Sequence, residues 1–313
     1  MTERLGGLSV NEQSRNQYEK GSQHADARRN LYKYAVPERN LWQEMSSTLK
    51  YSKTDQILDV GTGNGDFVEI IQSQIKDQIG SAFQGSILGI DKYPTNYFKT
   101  WQRLSHENPL GRVSFTRGDI EDLHFPDSSV DILSSLFVLY HIDNPRQALG
   151  TIKRVLKPGG QLLLATRGVQ NQYRMWEYGR QVADQIGVSA PKSFYNHFDI
   201  DHAKDELEAM FQLEIVPEPQ DGHLLIPMDG EVPGDQRGWL DYREALISLV
   251  GAMRDKSTEG LISPAQSNQA KEIIDTDIKE AFISEAGELG SDEQQGFFIE
   301  RVQQTYFVCI NNK

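Results

Sequence analysis

Ile57-Leu58-Asp59-Val60-Gly61-Thr62-Gly63-Asn64-Gly65-Asp66-Phe67 reads as a strand, a turn and the start of a helix. From the polar Gln56 the chain turns apolar, as a short buried parallel strand should. Three glycines at alternate positions then break the strand, and Phe67-Val68-Glu69-Ile70-Ile71 takes up helical spacing. A glycine turn of this kind lets main chain approach a nucleotide-like ligand closely, because no side chain stands between them. Asp59 adds a charge at the strand's carboxyl end, where open α/β sheets place their ligands.

The same unit recurs downstream. Ser86-Ile87-Leu88-Gly89-Ile90-Asp91 is a second short strand ending in an acid, placed to accept hydrogen bonds from the vicinal hydroxyls of a ribose. Val113 to Asp119 is a third. Val130 to Phe137 is the fourth, with Val138 to Asp143 as the loop or helix start beyond it. Helical spacing from Arg146 to Leu156 stops at Lys157-Pro158-Gly159-Gly160, and Gln161 to Thr166 is the fifth strand. This alternation predicts a doubly wound, mostly parallel sheet. One terminal carboxylate would pass as a turn or cap residue. Asp59, Asp91 and Asp119 at one end of one sheet are not explained by capping alone.

Around this core at 51–168 the chain divides further. Residues 1–16 form a polar tail and 17–50 a helical cover. In the cover, Leu31, Tyr34 and Ala35 share a helix face before Pro37, and Leu41, Trp42, Met45 and Leu49 form a second helix. Tyr18, Tyr32 and Tyr34 either reach a bound ligand or pack between helices. Residues 169–200 carry Tyr173, Trp176, Tyr178, Phe194, Tyr195 and Phe198 and read as an aromatic lid. In the remainder, 201–313, a helix from His202 to Phe211 is capped by Asp199 or Asp201. Leu213–Val216 and His223–Ile226 read as paired strands with a turn at Gln220-Asp221-Gly222. A helical insertion at about 237–288 holds an amphipathic helix from Trp239 and a second opened by Ser263-Pro264. Tyr306 to Ile310 suits a final antiparallel strand inserted into the sheet.

The 313 residues hold 45 acidic and 32 basic side chains, a formal charge of −13, with 38% hydrophobic and 25% charged residues. That balance disfavours a surface that tracks phosphates, so nucleic acid is not an expected partner. The densest basic cluster, Arg28-Arg29 with Lys33, reads as a solvated helix face. The single cysteine, Cys309, excludes an intramolecular disulfide and a cysteine-based zinc site, and sits in an apolar run that suggests a buried thiol. No metal site is expected. No apolar run approaches the ~18 residues of a membrane span and no signal peptide is evident, which makes a cytoplasmic protein without membrane association the expectation.

Taken in order, these pieces resemble the small-molecule class I methyltransferases (type 11/25-like), which use S-adenosylmethionine. Leu58 to Gly65, Gly89-Ile90-Asp91 and Gly118 to Asp127 carry the likeness, with Val130-Asp131-Ile132, Leu139-Tyr140-His141-Ile142 and Arg154 to Gly160. They span about 57 to 166. The resemblance implies a Rossmann-like methyltransferase fold: a seven-stranded doubly wound sheet with N-terminal helices and a helical lid or insertion. It implies that Asp59, Gly61, Thr62, Gly63 and Asn64 meet the amino acid part of the cofactor. Asp91 with Lys92 would hold the ribose, Asp119 and the Ile120 amide the adenine, and the Leu136 carbonyl the ammonium. Tyr18 would close over the cofactor, and Tyr34, Tyr173, Trp176, Phe194 and Tyr195 would line an acceptor space. Leu136-Phe137 stand where many relatives carry Asn or another polar residue. Outside the core, the likeness is to bacterial enzymes acting on small, often natural-product acceptors, as monomer or homodimer.

Methyl transfer from a sulfonium is a displacement that needs alignment and exclusion of water, and a hydroxyl or carbon acceptor also benefits from a base. His141, at the ligand end of the sheet, and His197, in the lid, are the base candidates. His141 can equally serve as a structural residue beneath the cofactor. Competing functions make different demands. A nicotinamide oxidoreductase wants glycine where Asp66 stands and an acid nearer than Asp91. A non-catalytic or regulatory S-adenosylmethionine-binding protein would keep the cradle without turnover. A macromolecular methyltransferase would show a basic extension for RNA, or an Asn-Pro-Pro-Tyr-like tetrapeptide after the fourth strand.

Overall fold

The computed structural model describes residues 31–36, 40–93, 112–190, 197–217, 220–227, 237–250, 261–288 and 297–312, with residues 15, 27, 28, 30, 100, 102, 104, 253 and 255. Apart from residue 15, the predicted tail lies outside them, as do Tyr18, Phe194 and Tyr195. Strands β1 (Ala35–Val36), β2 (Gln56–Val60), β3 (Ser86–Asp91), β4 (Val113–Arg117), β5 (Val130–Leu136) and β6 (Leu156–Arg167) precede β7 (Gln212–Ile215), β8 (Gln220–Pro227) and β9 (Phe297–Ile310). They form one sheet in the order β1-β8-β9-β6-β5-β2-β3-β4, with β7 also on β9. The run β4-β3-β2-β5-β6 is parallel, as the alternation predicts.

Among the described residues the sheet has nine strands where seven are expected. The extra pair arises at β9, whose residues Gln304 to Ile310 pair antiparallel with β6 while its earlier half pairs with β8. β8 in turn carries β1. Three local expectations are corrected by this edge. Ala35 belongs to a strand and not to a helix face, after a single 3-10 turn at Leu31–Tyr34. Gln220-Asp221-Gly222 starts β8 and is no turn. β7 and β8 do not form a hairpin; each pairs with β9, at opposite ends of it.

Helices cover both faces. On one, α1 (Leu41–Ser47) and α2 (Asp66–Gln78) lay Leu41, Met45, Phe67, Val68, Ile71 and Ile75 against Ile57, Ile132, Leu163 and Val308. On the other, α3 (Pro145–Val155) buries Ala148, Leu149, Ile152 and Val155 with Leu58, Leu133, Leu162 and Cys309. Neighbouring residues of one strand thus feed opposite cores, which is why these strands lack polar alternation. Asn144 caps α3 through Gln147 N–H, and Pro145 opens it.

The face bearing α3 continues into a second helical layer: α4 (Tyr173–Gln185), α5 (Ile200–Met210), α6 (Arg237–Val250), α7 (Pro264–Ile273) and α8 (Lys279–Glu288). Asp199 is the cap of α5, and Ser263 with Gln266 forms a full capping box on α7. Tyr178, Trp239, Tyr242, Phe282 and Phe298 join α4, α6, α8 and β9, with Phe282 stacked on Phe298 at 4.2 Å. Among the described residues, no helix is long and apolar enough to cross a membrane.

Candidate active site

The carboxyl ends of β2, β3 and β5 meet at the glycine turn. Gly61 and Gly63 adopt φ of +75° and +56°, left-handed values that glycine takes without a Cβ penalty. They serve different purposes. A Cβ on Gly61 would overlap the Val138 side chain, so this position lets the turn close on the segment after β5. Among the described residues, a Cβ on Gly63 would meet nothing nearer than 3.9 Å, which leaves its outer side open to a ligand there. The Gly63 peptide is held on both sides: its N–H donates to Asp91 Oδ2 at 2.9 Å, and its carbonyl accepts from the Thr100 hydroxyl. Gly61 and Thr62 N–H both donate to the Ile90 carbonyl, at 2.8 and 3.0 Å.

The three acids sit at this rim in distinct states. Asp59 is buried, accepts from Ser134 Oγ at 2.6 Å, and is pushed up to about 6 by burial, an effect the Ser134 and Thr62 hydroxyls oppose and the Asp91 charge reinforces. Asp91 is also buried, and its second oxygen accepts from Tyr93 N–H at 2.9 Å. Two main-chain donors fix the carboxylate at the end of β3. Asp119 accepts from Glu121 N–H and pairs with Lys92 Nζ at 2.8 Å, while Ile120 is buried behind it. Lys92 therefore bridges the ends of β3 and β4. Asn64 lies in the turn next to the N–H of Asp66.

Beyond β5 the chain bends abruptly. Leu136 is buried at the strand's end, and Phe137 follows with φ +61°, a left-handed value that a bulky residue rarely adopts. Arg167, at the end of β6, lies over the Phe137 ring at 4.8 Å and the Tyr32 ring at 5.3 Å. His141 occupies the 3-10 turn Leu139–His141, and its ring centroid is 4.5 Å from that of Tyr140. Burial, then the positive charges of Arg28 and Arg167, pull it down to about 3, so it stays neutral in ordinary buffers and is a weak base. Arg28 faces inward, its Nη1 donating to Ser248 Oγ at 3.0 Å. This corrects the solvated-face reading for Arg28, and Lys33 pairs with Asp241 at 2.6 Å.

The remaining candidates are scattered. Tyr34 donates to Asp241 Oδ2 at 2.6 Å and joins the cover to α6. Trp176 is buried in α4, whereas Tyr173 is exposed with Arg180 over its ring. His197 precedes Phe198, whose carbonyl accepts from Thr166 Oγ1 near the end of β6 at 2.8 Å. Its Nε2 is buried, with no hydrogen-bond partner among the described residues. Arg167 is absent from the sequence-based candidates, although a cation directly after the fifth strand marks the same rim. Among the described residues no cluster of His, Cys, Asp and Glu could hold a metal.

A glycine turn latched to the acid at the end of β3 is the arrangement with which open α/β sheets meet nucleotide-like ligands. Residues 58–164 match the family model for the methyltransferase domain. They are a class I methyltransferase domain. The class uses S-adenosylmethionine, and the open side of Gly63 beside the fixed Asp91 carboxylate fits that group. A methyltransferase of Schizosaccharomyces pombe is 35% identical over 135 residues, 40% of this chain and 46% of that one. The ubiquinone/menaquinone biosynthesis C-methyltransferase UbiE of Francisella philomiragia is 31% identical over 116 residues, 36% of this chain and 42% of the relative. A demethylmenaquinone methyltransferase of Listeria welshimeri is 27% identical over 176 residues, 55% and 71% of the two chains. The chain spans about half the length of the first two relatives. A solved Bacillus halodurans protein superposes with TM-score 0.53 at 16% identity, covering 88% of this chain and all of its own (100%). This likeness concerns the fold alone.

Proposed function

We propose that this chain transfers a methyl group from S-adenosylmethionine to a small-molecule acceptor. The observation that carries this reading is the Asp91 carboxylate, fixed by Gly63 and Tyr93 N–H beside the open side of the glycine turn. The relatives named as a ubiquinone/menaquinone biosynthesis C-methyltransferase and a demethylmenaquinone methyltransferase support an acceptor that is a small organic molecule. When bound, the cofactor supplies an electrophilic methyl group. The chain's own residues do the rest. Asp91 holds the ribose hydroxyls, Asp119 with Ile120 N–H orients the adenine, and Asp59 with the turn receives the amino acid part.

Trp42, edge-on to Phe137 at 5.7 Å and tilted against Phe67 at 5.9 Å, shields this rim from water. Of the two histidines, His197, whose Nε2 has no partner among the described residues, is the base candidate, with His141 as packing beneath the site. Calorimetry with S-adenosylhomocysteine tests the cofactor reading. Saturable binding at one site is expected, and Asp91→Ala should weaken it about ten- to a hundredfold, the worth of hydrogen bonds to a charged group. A folded wild-type protein that does not bind the nucleoside overturns the proposal.

A further inference from the structure

The sheet order separates two kinds of rim. Asp59, Asp91 and Asp119 belong to β2, β3 and the exit of β4, on one side of β5. β6 lies on the other side, about 10 Å from β2 at ~4.8 Å per strand. Groups at the end of β6 therefore face whatever lies beyond the reacting end of the cofactor. Leu136 pairs with Ala165, which places Arg167 two residues past that pairing. Its guanidinium folds back over Phe137. The connection that follows then draws in a second cation. Tyr32 donates to Asn171 Oδ1 at 3.2 Å, Gln172 Nε2 to the Arg28 carbonyl at 3.5 Å, and the Arg28 guanidinium is anchored on Ser248 of α6.

In a chain with 45 acidic against 32 basic residues, this rim gathers two half-buried arginines, one over the Phe137 ring and one tied to Gln172 through its carbonyl. Both act on His141 strongly enough to lower its proton affinity. A low-dielectric site with fixed cations favours an anion, and guanidinium favours the planar or tetrahedral oxygens of carboxylate and phosphate. We infer that Arg167 and Arg28 select an acceptor carrying an anionic oxygen group, which they hold at the β6 rim beside Phe137. The inference rests on the methyltransferase reading and adds the chemical class of the acceptor. Arg167 is then a specificity-determining residue, and the methyl-accepting atom lies elsewhere on the same molecule, toward β5.

Calorimetry on the full chain tests this with benzoate and phenyl phosphate against the neutral benzamide, with and without saturating S-adenosylhomocysteine. Either anion should bind at least about tenfold more tightly than benzamide, as a charge-assisted hydrogen bond allows. Arg167→Met and Arg28→Met should each abolish that preference while changing S-adenosylhomocysteine affinity by less than about threefold, under 1 kcal/mol. Arg167→Lys should keep part of it. The two anions then divide carboxylate from phosphate acceptors. Equal binding of benzoate, phenyl phosphate and benzamide by the wild type overturns the inference. So does a loss of S-adenosylhomocysteine affinity in the Met variants with 5′-methylthioadenosine binding retained, because the arginines would then hold the cofactor's own carboxylate. Failure of the wild type to bind the nucleoside, with the anion preference intact, sinks the cofactor reading alone.

Discussion

Asp59 and Glu300 are both buried carboxylates in the same sheet, one in the cofactor half and one in the C-terminal half. Burial raises both, to about 6 for Asp59 and about 7 for Glu300. Their partners differ. Glu300 accepts from Tyr242 Oη at 2.8 Å and from Arg174 and Met175 N–H at 3.0 and 2.9 Å, so β9 caps the first turn of α4. Its oxygens serve the chain's own main chain. Asp59 accepts from the Ser134 hydroxyl beside the glycine turn. A shifted carboxylate alone does not mark a site; what the neighbouring strand end leaves open does.

Four substitutions probe this division. Phe298→Ala should have the largest effect, about 3–5 kcal/mol of stability, because a fully buried ring stacked on Phe282 leaves a cavity among aromatics. Thermal denaturation reads the loss. If the halves are separable, S-adenosylhomocysteine affinity well below the melting temperature is unchanged.

Glu300→Gln sharpens the comparison through pH. The folded-state pKa lies above the ordinary value of 4.5, so the glutamate's contribution is fully present below 4.5 and is lost as pH rises through about 7. Wild-type stability should therefore fall between pH 4.5 and 7 relative to the variant, by on the order of 3 kcal/mol. Melting temperatures of both proteins across that range measure it, and parallel curves would contradict the assignment. Asp59→Asn carries the same sign in a lower window, from 3.8 to about 6. Gly61→Ala is the smallest, about 1–2 kcal/mol from left-handed strain, with the Val138 overlap added. It should lower cofactor affinity along with stability, the reverse of Phe298→Ala.

The parallel half was legible in the sequence because its signals are local. A strand, a glycine turn and an acid each lie within a dozen residues, and Gly61 and Asp91 meet where open sheets bring strand ends together. The edge around β9 was not. Residues 220–222 look like a turn by composition, and only pairing with Gln304, Gln303 and Val302 makes them strand. Ala35-Val36 has helical neighbours, and Leu224 and His223 decide it otherwise. Arg28 shows the same limit at the site. A basic pair on a helix looks solvated until a serine 220 positions away is found to accept from it. Phe137 carried no warning of its φ, since left-handed backbone at a bulky residue follows from what surrounds it.

β9 is the seam of the molecule, bonded on one edge to β6 and on the other to β7 and β8. It also follows in sequence every strand it joins. A ribosome that has released residues up to about 290 has made the whole cofactor cradle, yet β6 still presents an unpaired edge. α4 at that stage lacks the carboxylate that caps it. Nascent chains of this kind are therefore at their most adhesive just before the seam is threaded, and slow translation or truncation in that interval should favour aggregation over loss of cofactor recognition.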